Sequence, residues 1–448
     1  MKRTTLATRA VAVAGVAALV LVGCGDGGDD GAAPSDESSA TGSVDTPDEA
    51  ATGGSEDCEP ETPTPAEGDG VLTIGSLLPQ TGTLSFLGPP EFAGVELAVQ
   101  EINEAGGVLG QDVAYLEGDS GDTTTDIASL TVQRLLNADA DVIVGAASSA
   151  VSLTVIDAIT GAGVVQFSPA NTSPQFTCIS DSGLYFRTAP SDVLQGRVMG
   201  DLVVGDGFLD VGIMALDDAY GTGLAENVTA TIEAGGGSIA GGSPIIYNPN
   251  AATFSAEVSQ LAGTDPEAIV LIGFDETLQI IPELISQGIG PSEVPLYLVD
   301  GNLANYSEDA LEPGALLGTQ GTLPGAAATG DFQDRLLAVD PSLQDFSYAP
   351  ESYDAVILSA LAAVAADDDS GASIATELPG VSRDGTACSS FAECAELLAN
   401  GEDIDYQGVS GPIELSDLGD PTEATIGIYS YVEDNSYVNE RYVEGSLG

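Results

Sequence analysis

The chain has 448 residues and is strongly acidic: 70 Asp and Glu stand against nine Lys and Arg, for a formal net charge of −61 at pH 7. It contains no histidine, which excludes a Ser-His-Asp or Cys-His triad, a histidine metal ligand and an imidazole proton shuttle. The excess of negative charge also excludes nucleic acid as a partner, because phosphate binding needs basic surfaces.

The first 23 residues have the pattern of a secretory signal peptide. Basic residues within the first nine positions precede an apolar run from Ala10 to Val22, which is short for a membrane-spanning helix. The sequence Leu21-Val22-Gly23-Cys24 resembles the lipobox of bacterial lipoproteins, which predicts that Cys24 becomes the lipidated first residue of the mature chain. The alternative is an ordinary cleaved signal with an incidental Cys. We expect a protein on the extracellular face of the cell membrane, attached through its lipid anchor only.

Residues 24–70 predict a disordered acidic stalk, because they are rich in Gly, Ser, Thr, Pro, Asp and Glu and contain almost no core-forming residues. Without the signal peptide the chain keeps six Arg, no Lys and all 70 acidic residues. This balance favours a high-salt habitat, where screening removes self-repulsion. The alternative is an acidic surface that simply keeps an exported protein soluble.

Four further cysteines follow Cys24, and an even number outside the cytoplasm indicates two disulfides. Cys388 and Cys394 are close in sequence and are expected to pair, which leaves Cys58 to pair with Cys178. Zinc is the alternative, although Cys-x5-Cys is not a usual zinc-binding spacing. We expect no metal and no organic cofactor.

From Val71 onward, predicted strands alternate with predicted helices. The first block contains four strands and three helices: strands 71–78, 112–117, 141–145 and 164–168, with helices from Pro89, over 124–137 and over 150–160. The alternation restarts after about Pro190, and a third block, which includes an apolar helix over 353–366, runs from Phe332. This pattern is typical of open parallel sheets with helices on both faces.

Short motifs occur in a fixed order along these blocks: Ile74–Gly82 with Phe86–Gly88, Gly94–Gly110, Asp119–Asp122, Ser168–Thr172, Phe186–Asp192, Asp218–Gly221, Ser352–Ala355 and Gly408–Pro412. Each is weak alone. Together they resemble the type I periplasmic solute-binding proteins, specifically the leucine/isoleucine/valine-binding branch that feeds ABC importers. The resemblance extends from about Val71 to Tyr442.

The resemblance implies an α/β fold of two doubly wound parallel-sheet lobes, joined by a hinge of three crossovers. Lobe 1 would take residues 71–190 and 321–425, and lobe 2 would take 191–320 and 426–448. The ligand would lie between the lobes, beyond the carboxyl ends of the strands.

The carboxylate of an amino acid needs hydroxyls, amide N–H groups and a helix N-terminus. Ser148 and Ser149 follow a predicted strand at the start of the next helix, where the helix dipole favours an anion. The resemblance aligns Ser149 with a carboxylate-binding serine, and aligns the Ala170 backbone and the Thr172 hydroxyl with the pair that also holds the amino-acid backbone. The alternatives are helix N-caps for the serines and a plain Ser-Pro turn before Thr172.

The ammonium group needs a carboxylate from the opposite lobe. Asp300 follows a predicted strand at a position where the family often has Glu; alternatively, it caps the following turn. Tyr220 is expected to cover the ligand, and Phe274 aligns with an aromatic residue of the cleft, although structural packing explains Phe274 equally well. Leu87 stands where the family often has an aromatic residue, which changes the side-chain pocket.

These expectations predict a non-enzymatic, lipid-anchored receptor that binds a small amino-acid-like solute and delivers it to an ABC permease. One alternative is a sensor of the same fold, coupled to a signalling partner. A second is a hydrolase that uses Ser149 with a carboxylate, which the absence of histidine and of a Gly-x-Ser-x-Gly motif disfavours.

Overall fold

The computed structural model describes residues 58–411 and 413–447. The predicted signal peptide, the lipidation site at Cys24 and the stalk up to residue 57 lie outside the described residues.

The first sheet is fully parallel and has the strand order β2-β1-β3-β4-β5. Its strands are β1 (Thr73–Leu77), β2 (Ala114–Leu116), β3 (Val142–Gly145), β4 (Val165–Ser168) and β5 (Tyr185–Arg187). The helices between them are α1 (Gly88–Glu104), α2 (Ile127–Leu136) and α3 (Ser149–Thr160). Every connection between parallel strands needs a crossover, so the alternation of strands and helices in the sequence becomes this doubly wound layer.

The second sheet has the order β15-β14-β11-β10-β9-β6-β7, with β8 also paired to β6. Its strands are β6 (Asp210–Leu216), β7 (Ser238–Ile239), β8 (Ile245–Tyr247), β9 (Ala268–Ile272), β10 (Leu296–Leu298), β11 (Gln320–Pro324), β14 (Glu423–Tyr431) and β15 (Tyr437–Ser446). Its helices are α4 (Asp192–Gly205), α5 (Ala219–Ala234), α6 (Ser255–Ala262) and α7 (Thr277–Ser286). The last two strands are antiparallel and close one edge.

Between β11 and β14 the chain returns to the first lobe. It forms α8 (Gly330–Val339), α9 (Ala349–Ala366), α10 (Gly371–Val381), β12 (Thr386–Cys388), α11 (Phe391–Ala399) and β13 (Ile404–Tyr406). α9 packs between α1 and α10 in the core of lobe 1. Among the described residues it alone is long and apolar enough to span a membrane, but 83% of it is buried inside the protein, as expected of a core helix.

The chain crosses between the lobes after β5, after β11 and before β14, so the predicted α/β fold of two doubly wound lobes is confirmed. The strands of the second sheet extend to Pro324 and resume at Glu423, because β11 pairs with both β10 and β14. This pairing joins segments that are far apart in the sequence, so short sequence motifs do not predict it.

Both expected disulfides are present, Cys58–Cys178 and Cys388–Cys394. The first attaches the segment 58–70 to lobe 1, where backbone N–H groups of this segment donate to carboxylates of Asp368 and Asp369. The prediction of disorder is therefore corrected for residues 58–70. Their composition lacks core-forming residues, but the covalent link and polar contacts hold them in place.

The interlobe cleft as candidate binding site

The predicted binding residues follow the carboxyl ends of parallel strands in both lobes. In lobe 1 the loops after β1, β3 and β4 carry Leu87, the two serines at 148 and 149, and Ala170. In lobe 2 the segments after β6, β9 and β10 carry Tyr220, at the start of α5, and Phe274 and Asp300. In a parallel sheet these ends lie at one edge, so two such edges facing each other form a cleft.

Seven of the eight predicted ligand-binding residues line one small cavity between the lobes. The lining consists of Leu84, Leu87, Ala147, Ser148, Ser149, Ala170, Tyr220, Phe274, Asp300, Gly301 and Tyr348. The cavity volume is about 20 Å³, which corresponds to about one water molecule. A ligand of amino-acid size therefore enters this site only when the lobes separate or side chains move.

Thr172 is the one predicted residue that does not line this cavity. Its side chain is buried, and its hydroxyl faces the Asp192 carboxylate without the geometry of a hydrogen bond. The backbone of the two residues is also linked, because the Asp192 N–H donates to the Thr172 carbonyl at 2.7 Å.

The N-terminus of α3 opens towards the cavity. Ser148 is the N-cap residue, and its hydroxyl accepts a hydrogen bond from the Val151 N–H at 3.4 Å. Ser149 occupies the first helical position, where its hydroxyl accepts from the Ser173 N–H at 3.3 Å. Ser148 is therefore a helix N-cap, which was the alternative to a ligand-binding role. Within the described residues the Ser149 hydroxyl only accepts a hydrogen bond, so its hydrogen is available to donate to a ligand. The free amides and dipole of this helix end suit a carboxylate.

The loop after β4 is fixed to the hinge by a buried cation. Arg187 donates from Nε and Nη2 to the two carboxylate oxygens of Asp420, at 2.6 and 3.0 Å. The same guanidinium donates to the carbonyls of Asn171 and Ser173, which flank Thr172. This bidentate pair thereby joins the third crossover to the loop that carries Ala170.

Asp300 of lobe 2 is the centre of a hydrogen-bond network at the cavity, which also includes Tyr348 of lobe 1. Its Oδ1 accepts from the Tyr220 hydroxyl at 2.6 Å and from Gln195 Nε2 at 2.9 Å. Its Oδ2 accepts from the Tyr348 hydroxyl at 2.7 Å. Tyr220 also stacks on Phe274, with ring centroids 5.4 Å apart, which holds both rings over the cavity. Burial raises the pKa of Asp300, and these donors oppose the rise.

A second carboxylate, Asp192, is fully buried at the start of α4. Neither of its carboxylate oxygens has a hydrogen-bond partner among the described residues. Burial and the nearby charge of Asp300 raise the pKa of Asp192 well above its usual range. Asp300 has three side-chain donors, whereas Asp192 has none in the described part of the chain, and the charge of Arg187 only partly opposes the rise of its pKa. A positively charged group beside the pair is therefore favourable, because an ionised carboxylate is costly to bury unpaired.

A second cavity of about 130 Å³ adjoins the first and shares Leu84, Ser148 and Phe274 with it. Its rim carries three aspartates, one from lobe 1 and two from lobe 2: Asp122, Asp217 and Asp218. Burial raises the pKa of Asp218 to about 6. In the described part of the chain, neither cavity is lined by Arg or Lys. The lining of the two cavities therefore offers no basic side chain to a ligand that carries a second anionic group in addition to its carboxylate.

Three residues of this network were not predicted as ligand contacts: Asp192, Gln195 and Tyr348. Asp192 ends a motif that the sequence does contain, but nothing in that motif indicates that its carboxylate is buried beside Asp300. Gln195 lies one turn further along α4, on its buried face. Tyr348 lies in the loop before α9 and reaches Asp300 across 48 residues of sequence, so no local pattern indicates it.

Comparison with known proteins agrees with this architecture. The model of the periplasmic binding protein family matches residues 71–395. The chemotactic signal transduction system substrate-binding protein BasB of Halobacterium salinarum is 28% identical over 367 residues, which cover 78% of this chain and 84% of BasB. The Leu/Ile/Val-binding protein BraC3 of Rhizobium johnstonii is 32% identical over 168 residues, so the match covers 37% of this chain and 45% of that relative.

Solved structures show the same fold. The leucine-binding protein LivK of Thermotoga maritima has a TM-score of 0.69 at 21% identity, covering 83% of this chain and 99% of LivK. LivJ of Streptococcus pneumoniae, solved with isoleucine, has a TM-score of 0.67 at 21% identity, covering 84% and 99%. Since the family model matches most of the chain, this protein belongs to the periplasmic binding protein family, and the solved structures show that its fold is that of the type I members.

Proposed function

We propose that the protein binds a zwitterionic amino acid or a close analogue between its lobes. The observation that carries this proposal is that the two sides of the cavity suit opposite charges. The α3 N-terminus with Ser149 stands on the side of lobe 1, and the Asp300 network stands on the side of lobe 2. The helix end would hold the ligand carboxylate, and Asp300 with Asp192 would hold its ammonium group.

The charge balance of the cleft supports a zwitterion over a purely anionic ligand. A ligand with a carboxylate alone would bring a third negative charge near two buried carboxyl groups. A ligand with an ammonium group instead supplies the missing positive charge and N–H donors. Leu84, Leu87 and Phe274 would contact the ligand side chain, whose far end would point into the adjoining acidic cavity.

Closure of the lobes would turn binding into a signal for a second protein. Tyr220 and Phe274 belong to one lobe and Leu87 to the other, so a bound ligand would join both. A ligand shifts an open–closed equilibrium only through contacts that differ between the two states, and interlobe contacts differ in this way. We propose that the closed form delivers the ligand to an ABC permease from a lipid anchor at Cys24.

Sensing is the second candidate, and a specific comparison favours it. BasB, which aligns with most of this chain, is named as the substrate-binding protein of a chemotactic signal transduction system. The same lobe closure would then be detected by a signalling partner instead of a permease. Uptake of radiolabelled ligand in cells with and without the gene distinguishes delivery from sensing.

Thermal unfolding of the purified protein against a panel of amino acids, amides and short-chain acids tests the binding proposal. A ligand at a hundred times its Kd stabilises the folded state by about 2.7 kcal/mol, which is readily measured as a rise in Tm. We expect zwitterionic amino acids to raise Tm and the matching acids without an ammonium group to have no effect. Absence of any shift across the panel contradicts the proposal. Labelling with palmitate, lost in Cys24→Ser, tests the anchor separately.

A further inference from the structure

A separate cavity lies at the hinge between the lobes, and we call it the hinge cavity. Lobe 1 contributes the segment 344–351 and part of α8 to its walls, and lobe 2 contributes the end of β11 with β14 and β15. Its volume is about 200 Å³, larger than the cavities of about 150 Å³ that accept benzene in other proteins. Exposed residues such as Ala327 and Gln344 stand at its mouth.

Aromatic rings form much of the hinge cavity wall. Phe346 and Tyr348 come from lobe 1, and Tyr429 and Tyr437 come from lobe 2. The rings of Tyr429 and Tyr437 meet edge to face with their centroids 5.3 Å apart, which fixes their orientation. The ring faces of tyrosine and phenylalanine attract cations as well as apolar groups.

A buried carboxyl group lies at the floor of the hinge cavity. Glu351 is 2% exposed and lines the cavity, and its Oε1 has no hydrogen-bond partner among the described residues. Oε1 points to the backbone between the lining residues Pro324 and Ala326, where a methyl group on Gly325 would approach it to 1.9 Å. Burial, and then the charge of Asp354, raise the pKa of Glu351. The charge of Glu351 in turn raises the pKa of Glu91, a buried acid whose two carboxylate oxygens also lack partners in the described part of the chain.

No positive charge of the protein balances these acids at the hinge cavity, because none of its lining residues in the described ranges is Arg or Lys. Asp345 adds a further carboxylate at the wall, and its Oδ2 accepts from the Tyr437 hydroxyl at 2.9 Å. A buried carboxylate without donors is destabilising until a group with N–H donors and positive charge reaches it. The cavity thus combines aromatic faces, an unpaired buried acid and room for a small molecule.

We infer that the hinge cavity binds a small organic cation, namely a primary amine with a compact aromatic or aliphatic body. The ammonium group donates to Glu351, and the body packs among the rings of Tyr348, Tyr429 and Tyr437. This site is separate from the interlobe cleft and does not depend on the proposed amino-acid ligand.

Tyr348 gives the hinge cavity a physical connection to the cleft. Its ring lines both cavities, and its hydroxyl donates to Asp300 Oδ2. Both lobes also contribute walls to the hinge cavity, so opening of the cleft changes its shape. Binding of an amine at the hinge and of a ligand in the cleft are therefore coupled, and each changes the affinity of the other by the same factor.

Titration calorimetry with benzylamine tests the inference on the purified protein. We expect saturable binding of one molecule of benzylamine, with at least tenfold weaker binding of benzyl alcohol and of benzoate, which share its ring but lack the positive charge. Glu351→Gln keeps the shape of the side chain and is expected to weaken benzylamine at least tenfold. Glu402→Gln, an exposed glutamate outside the cavity, removes the same charge and is the matched control, with benzylamine affinity unchanged.

Two further variants locate the site. Ala327→Trp places a large side chain at the exposed mouth and is expected to block benzylamine without disturbing the core. Ser149→Ala, in the cleft, is expected to leave benzylamine binding unchanged, so that failure of the cleft proposal and failure of this one are distinguishable. The inference is overturned if benzylamine does not bind, if Glu351→Gln and Ala327→Trp both bind it as wild type does, or if Ser149→Ala abolishes its binding.

Discussion

Replacing Asp300 by Asn isolates the charge of the carboxylate that we place at the ligand ammonium group. The side chain keeps its shape and one carbonyl oxygen, which can still accept from the Tyr220 hydroxyl and from Gln195 Nε2. Its new NH2 group faces the Tyr348 hydroxyl, which must then rotate from donor to acceptor. Burial and then the Asp300 charge raise the pKa of Asp192, and the change removes the second of these causes.

These effects act differently on binding and on folding. A hydrogen bond to a charged group contributes about 1.5–3 kcal/mol, so loss of the carboxylate charge is expected to weaken ligand binding roughly 10- to 150-fold. In the free protein, the three hydrogen bonds to residue 300 lose their charge assistance, and relief of repulsion with Asp192 offsets part of that loss. The free energy of unfolding is therefore expected to change by no more than about 1–2 kcal/mol.

The assay combines titration calorimetry, with the amino acid that raises Tm most, and thermal unfolding of the ligand-free protein. Asp217→Asn is the matched control, because Asp217 is exposed at the rim of the cleft. That control is expected to change the affinity less than threefold. A folded Asp300→Asn variant that binds the amino acid as tightly as wild type would refute the assignment of Asp300 to the ammonium group.

The remaining predictions separate binding from stability at other positions. Ser148→Ala removes an N-cap and should lower the free energy of unfolding by about 1 kcal/mol. Ser149→Ala should instead weaken ligand binding with little change in Tm. Equal effects of the two variants on binding and on stability would contradict their different roles. Burial raises the pKa of Asp141 to about 7, so the folded state holds this proton more tightly than the unfolded state. The contribution of the Asp141 proton to the free energy of unfolding is therefore present below pH 4 and is lost as the pH rises to about 7. Asp141→Asn should remove this pH dependence, so that Tm differs less between pH 5 and pH 8 than it does in the wild type. The double variant Cys58→Ser/Cys178→Ser should lose about 2–4 kcal/mol in denaturant unfolding, because the link closes a long loop; an unchanged midpoint would show that residues 58–70 are not needed for stability.

The sequence determined the positions of most strands and helices, because these depend on local periodicity. The strand predicted over 141–145 agrees with β3 to within one residue, and the helix predicted over 150–160 begins one residue earlier, at Ser149. The order of the motifs also identified the loops that meet at the cleft. The resemblance that this order carries implied Ser149, Ala170 and Asp300 as site residues. All three lie beyond the carboxyl ends of parallel strands, which share one edge of each sheet.

Only the tertiary structure decided how side chains meet across long stretches of sequence. Tyr348 and Gln195 reach Asp300 from 48 and 105 residues away, and neither carries a local signal for this contact. The same holds for Thr172, whose hydroxyl faces Asp192 instead of the cavity. Local sequence sets which backbone conformation is favourable. Which side chains become buried together depends on the packing of whole lobes. Once water is removed, a buried carboxyl group must find its hydrogen-bond donors within the protein, and these can come from residues far away in the sequence.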